Sequence, residues 1–255
     1  MSGTRLHSPK APATKVVPFP TLLLAAHGEC GGRGDDEVVH RLARKIRRGR
    51  QFGRVEPCFV RGAPKIEDMP SQLAGESILV YPLFMSDGYY VNQAIPRALA
   101  MGESGESSEV KVLRPLGLNP GLPGVVERLC RQTAADARLP INDATLLLAA
   151  HGSAKSPQSR LATEAVAKRL AARSGFRAVH CAYLEEPPFL AHQLANLPGP
   201  LVVAGLFVGE GMHGAGDVPE AVAACGRSDV LLCTPLSRSP ALERLILSDV
   251  KEAVN

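Results

Sequence analysis

The octapeptide TLLLAAHG occurs twice, at residues 21–28 and again at 145–152. An identical octamer repeated within 255 residues is far outside chance. It makes the chain two copies of one unit, displaced by 145 − 21 = 124 positions. The octamer also carries a physical instruction. Five apolar residues in a row, Leu146 to Ala150, suit a strand buried on both faces, as in a parallel sheet covered by helices. His151 and Gly152 then fall at the carboxyl end of that strand, the edge at which open α/β sheets bind ligands.

The rest of the chain repeats the pattern. In the first half, apolar runs at 22–26, 55–60, 77–84 and 110–113 read as strands. A helix is expected over 36–48, where Val38, Val39, Leu42 and Ile46 share a face. Residues 64–73 read as a loop or helix, MSDGYYVNQAIPRAL as a loop opening a helix, and RPLGLNPGLPGVVERLCRQTA as a proline-marked turn and a helix. The second half reads the same way, with strands at 146–150, 178–184, 201–208 and 230–233. A long helix through Leu161 and Ala172, another at 189–196, and a closing TPLSRSPALERLILSDVKEAV complete it. The expected fold is α/β, with two similar doubly wound parallel-sheet lobes related by internal duplication. The expected divisions are a disordered leader at 1–15, an N-terminal lobe at 16–138, a linker at 139–143 and a C-terminal lobe at 144–255. A cleft between two such lobes is a favoured ligand site.

Charge and composition then exclude function classes. A net charge of +4, without a basic stripe interleaved with aromatics, argues against nucleic acid and is compatible with an anionic small molecule. No apolar run reaches the roughly 18 residues of a membrane helix, so no membrane partner is expected. The run 16–26 after Lys10 and Lys15 superficially resembles a signal peptide. It is broken by Pro18 and Pro20, and its apolar half recurs in mid-chain where no signal can act. Six scattered cysteines without a CxxC pair argue against a zinc ribbon or an iron–sulfur motif and favour a reducing compartment. The expected location is cytoplasmic.

The two halves also read each other. His151 matches His27, Glu185 matches Arg61 at the same offset, and His213 matches Tyr90 one gap later (213 − 90 = 123). All six stand at or just beyond an expected strand end. The second half therefore presents His, Glu, His, and the first presents His, Arg, Tyr. Two imidazoles and a carboxylate suit a borderline divalent metal such as iron, cobalt, nickel or zinc. Glu186 is an alternative to Glu185. GEGMHG supplies a GxGxxG pattern, but in the third strand-loop of its lobe and without the acidic residue of a dinucleotide site.

Three segments, AAHGS (149–153), AYLEEPP (182–188) and GLFVGEGMHGAGDVP (205–219), together resemble the sirohydrochlorin cobaltochelatase/ferrochelatase family, the class II, ATP-independent tetrapyrrole chelatases. The resemblance spans both halves, from about residue 21 to 255. It implies insertion of cobalt, iron or nickel into sirohydrochlorin or a related tetrapyrrole. The metal is then a substrate, and no cofactor is permanently bound. His151, Glu185 and His213 would carry metal binding and proton removal, with His27, Arg61, Tyr90 and Ser153 facing the macrocycle. Neutral imidazole binds a divalent ion yet lets it exchange, and titrates near the pH at which pyrrole protons must be taken up. Arg61, with Arg33 and Lys155 as weaker candidates, could pair with the carboxylates that rim such a ring. The first half departs from the family pattern at Arg61 and Tyr90, which puts a second chelatase site there in doubt. A non-catalytic tetrapyrrole or metal carrier on the same scaffold is the competing expectation.

Overall fold

The computed structural model describes residues 20–28, 35–49, 52–101, 109–209 and 216–254. Among these, each half is a four-stranded sheet with a helix after every strand. The first half runs β1 (Thr21–Ala26), α1 (Asp35–Arg48), β2 (Arg54–Phe59), α2 (Met69–Gln72), β3 (Ser77–Pro82), α3 (Ile95–Met101), β4 (Glu109–Val112) and α4 (Leu122–Asp136). The second runs β5 (Thr145–Ala150), α5 (Gln158–Ala171), β6 (Ala178–Tyr183), α6 (Leu190–Asn196), β7 (Leu201–Gly205), α7 (Val218–Ala224), β8 (Val230–Leu232) and α8 (Pro240–Val254). The sheet orders are β2-β1-β3-β4 and β6-β5-β7-β8, and every pairing is parallel. These are the two doubly wound lobes that the octamer demands.

The duplication holds at the level of register. Thr21 pairs with Arg54 and Thr145 with Ala178, both at the offset of 124. Ile78 beside Thr21 becomes Leu201 beside Thr145, an offset of 123, so the single-residue gap lies between the second and third strands of the repeat. The cis peptide bonds Ala63–Pro64 and Pro187–Pro188 fall at equivalent positions.

Both central strands are buried along their whole length. Leu22, Leu24 and Ala26 enter one apolar cluster, while Leu23 and Ala25 enter another on the opposite face. A residue period of two delivers each set to its own helical layer. Two expected strands end early, at Pro82 rather than residue 84 and at Gly205 rather than residue 208. Their ladder partners run out there: Leu83 N–H donates to Ala25 O (2.7 Å) and Leu206 N–H to Ala149 O (2.7 Å), the last links to the central strands.

The last helix of each half packs on the other half. From the first half, α4 lies against β7, β8 and α5, and Glu127 pairs with Arg173 (2.8 Å). From the second, α8 lies against α1, and Asp249 pairs with Arg114 (2.9 Å) beside β4. One apolar cluster therefore contains Leu22 and Leu24 of β1, Leu146 and Leu148 of β5, Val126 of α4 and Ile246 of α8.

Candidate active site at the strand ends

His27 and His151 leave their strands in the same turn. In each, the ring Nδ1 lies against the next residue's carbonyl, Gly28 O at 2.8 Å and Gly152 O at 2.9 Å. A carbonyl only accepts, so Nδ1 carries a proton, and in the neutral ring Nε2 is the basic nitrogen. The turn itself requires glycine. Gly28 has φ of 78°, and a Cβ there would meet the Arg61 carbonyl oxygen at 1.8 Å. Gly152 has φ of 73°, and its Cβ would lie 2.8 Å from Tyr183 Cβ and 2.9 Å from Glu186 Cγ.

The strand next door supplies the second rim residue in both lobes. Arg61 N–H donates to His27 O (2.7 Å), and Glu185 N–H donates to His151 O (2.9 Å). The equivalence of Arg61 and Glu185 is thus a matter of backbone geometry. Both side chains are exposed.

The neighbouring carboxylate has a different occupation. Glu186 is half-buried, accepts the Ser153 N–H at 2.9 Å on Oε1, and approaches Arg160 Nε of α5 at 3.4 Å through Oε2. It clamps the loop after His151 rather than facing outward, which separates it from Glu185. In the first half Gly62 stands at the equivalent position (186 − 124 = 62), with no side chain to act in this way. Sequence reasoning left Glu185 and Glu186 interchangeable; the signal that separates them is that contrast with Gly62. Ser153 is drawn into the same turn, its Oγ accepting the Lys155 N–H at 3.2 Å.

The third strand contributes differently to the two lobes. In the first, Tyr90 opens a π-helical turn, Tyr90–Ala94, and its hydroxyl lies 2.9 Å from His27 Nε2. The rings meet edge to face at 4.7 Å, Phe84 stacks on Tyr90 at 5.7 Å, and exposed Tyr89 meets it edge-on at 5.6 Å. The hydroxyl donates into the lone pair a metal would need, and the opposite rim residue is a cation. The first-lobe residues thus form an aromatic and cationic surface with no carboxylate among His27, Arg61 and Tyr90. In the second lobe, His213 lies outside the described residues, as does Arg33 of the first. Among the described residues, no three His, Cys, Asp or Glu side chains gather as a metal site. Among them also, no helix is long and apolar enough to cross a membrane.

A family model named CbiX matches residues 21–133 and again 145–253, once per half. A probable sirohydrochlorin cobaltochelatase of Halobacterium salinarum is 24% identical over 221 residues, 78% of this chain and 75% of the relative. The structure of CbiX, the terminal enzyme of siroheme biosynthesis in denitrifying bacteria, superposes with a TM-score of 0.77 at 27% identity. That match covers 92% of this chain and all of the other. SirB from Bacillus subtilis, solved with Fe3+, shares the fold at 16% identity with a TM-score of 0.74, over 91% of this chain and 94% of the other.

Proposed function

The chain belongs to the CbiX family, and on that premise we propose that it inserts a divalent metal, cobalt or else iron or nickel, into sirohydrochlorin or a related tetrapyrrole without ATP. His151, Glu185 and His213 hold the incoming ion and take up the two pyrrole protons that it displaces. The observation that carries this assignment comes from the other lobe. There the fold brings the equivalents of His151 and His213 into direct contact, as the 2.9 Å separation of His27 Nε2 and Tyr90 Oη. A histidine in place of that tyrosine, and a glutamate in place of Arg61, would put two imidazoles and a carboxylate around one point.

The same comparison divides the labour between the lobes. Proton uptake at the second-lobe rim needs a basic nitrogen, and the Nδ1 contact to Gly152 O leaves that role to Nε2 of His151. Arg61, His27, Tyr90 and Ser153 face the macrocycle, with the guanidinium meeting its peripheral carboxylates and Tyr90 offering its ring to the plane.

The test is anaerobic absorbance spectroscopy of purified protein with sirohydrochlorin and Co2+, Fe2+ or Ni2+ in turn, without nucleotide. Metallated product in large molar excess over protein supports the enzyme. Uptake that stops at one equivalent per chain supports the carrier instead. No spectral change with any of the three metals overturns both readings.

A further inference from the structure

Two thiols that metal insertion does not use face each other between the halves. Cys130 lies on α4 and Cys233 follows β8, 103 positions apart, with their Sγ atoms 3.8 Å from one another. Both are buried, Cys130 completely and Cys233 with 6% exposure. Cys233 also lines a cavity of about 150 Å³ at the carboxyl ends of β7 and β8, together with Gly205, Phe207, Thr234 and Arg238.

The duplication supplies an internal control. Leu113 N–H donates to Val80 O just as Cys233 N–H donates to Val203 O, both at 2.8 Å, so Leu113 is the twin of Cys233. At the same offset of 120, Val250 of α8 is the twin of Cys130 (130 + 120 = 250), and Leu116 matches Leu236 at the start of the preceding turn. The twin pair, Leu113 after β4 and Val250 on α8, thus carries leucine and valine in the same shared core. Packing at this place is satisfied by aliphatic side chains, yet the pair formed by α4 and the end of β8 has a thiol at both positions. The cavity has its own contrast, since Gly205 of its wall is matched by Pro82 (205 − 123 = 82).

We propose that Cys130 and Cys233 are an oxidisable dithiol, which a small hydroperoxide entering the β7–β8 cavity converts into a disulfide tying α4 to the end of β8. The Cys233 thiolate attacks the peroxide, taking one oxygen to become a sulfenic acid and releasing the other as hydroxide or alcohol. The Cys130 thiol then attacks that sulfur, the S–S bond forms and water leaves. Two thiols lose two protons and two electrons, and the peroxide is the acceptor. Closing the bond requires the sulfurs to approach by about 1.8 Å, a side-chain movement. The order of attack follows from position, Cys233 lining the cavity while Cys130 is completely buried in contact with it. That contact holds Cys233 below the usual thiol range, and with burial it pushes Cys130 well above it. A thiolate backed by a resolving thiol is the arrangement that goes to disulfide rather than to higher oxides.

The test uses the reduced full-length chain, treated with hydrogen peroxide, alkylated under denaturing conditions and digested without reductant. The expected product is a linked peptide pair containing Cys130 and Cys233, released by dithiothreitol, while Cys58 remains alkylatable. In Cys130→Ser, Cys233 should stop at the sulfenic acid and be labelled by a 1,3-dione. Recovery of both thiols unlinked while Cys181 or Cys225 oxidises would overturn the proposal. So would over-oxidation of Cys233 in the wild type with Cys130 untouched. The wild-type peptide map decides even where the serine variant folds poorly.

Discussion

His27 and His151 occupy one turn in two copies, and what stands opposite each decides its chemistry. A tyrosine hydroxyl occupies Nε2 of His27, and a cation takes the neighbouring rim position. We therefore expect His151→Ala or His213→Ala to lower chelation turnover by about 100-fold or more, the scale of losing a metal ligand or a general base. Glu185→Gln should also impair it with the fold preserved, whereas His27→Ala should affect macrocycle affinity more than the metal step. Steady-state chelation, with circular dichroism to check folding, separates these outcomes; loss with His27→Ala and indifference to His213→Ala would reverse the two lobes. Glu186→Gln tests the clamp. It keeps the shape but weakens the bond to Ser153 N–H, so turnover should fall less than with Glu185→Gln, and Arg160→Ala should resemble it. Much of this site is legible in the sequence, because strand ends are readable and the repeat pairs each residue with its twin. The distinction between Glu185 and Glu186 is not. Adjacent carboxylates are chemically equal until the backbone turns one toward Ser153 and the other toward solvent.

At the scale of elements, the turns after β1 and β5 are tightly constrained, since their glycines are wedged against the neighbouring strand's loop. Gly28→Ala combines a left-handed φ with a Cβ driven into the Arg61 carbonyl, and should lower Tm by roughly 4–10 °C. Gly226 has a φ of 65° but nothing within 4 Å of the same Cβ, so Gly226→Ala should cost only about 2–4 °C. Equal losses in differential scanning calorimetry would mean that conformation alone, not the close approach, sets the cost. Strand identity is readable because a run buried on both faces has few alternatives, whereas the order of the strands in each sheet comes from the structure. Nor is the partner of α4 readable. An apolar stripe of Leu122, Val125, Val126 and Cys130 says which side of a helix is buried, and says nothing about which sheet receives it.

Across the whole molecule, the shared core makes the midpoint near residues 139–143 a boundary in sequence with apolar packing on both sides of it. Cutting the chain there should give fragments 16–138 and 144–255 that fail to fold singly, each lacking the helix that closes its sheet. Co-expression should restore a folded pair, seen as recovery of helical circular dichroism. Fragment 144–255 folding alone with a sharp melting transition would contradict this. The exchange of α4 and α8 also fixes how stability responds to dilution. Two separate copies of a half-length unit could trade helices only by meeting, and their melting temperature would climb with protein concentration, as for any domain-swapped pair. A short connector turns that encounter into an event within one molecule, at an effective concentration set by its own length. The contribution of the exchange should therefore survive dilution from micromolar to nanomolar without a shift in melting temperature. With one copy unable to drift away from the other, one rim can carry a tyrosine and an arginine where the other carries a histidine and a glutamate while the partnership itself stays intact.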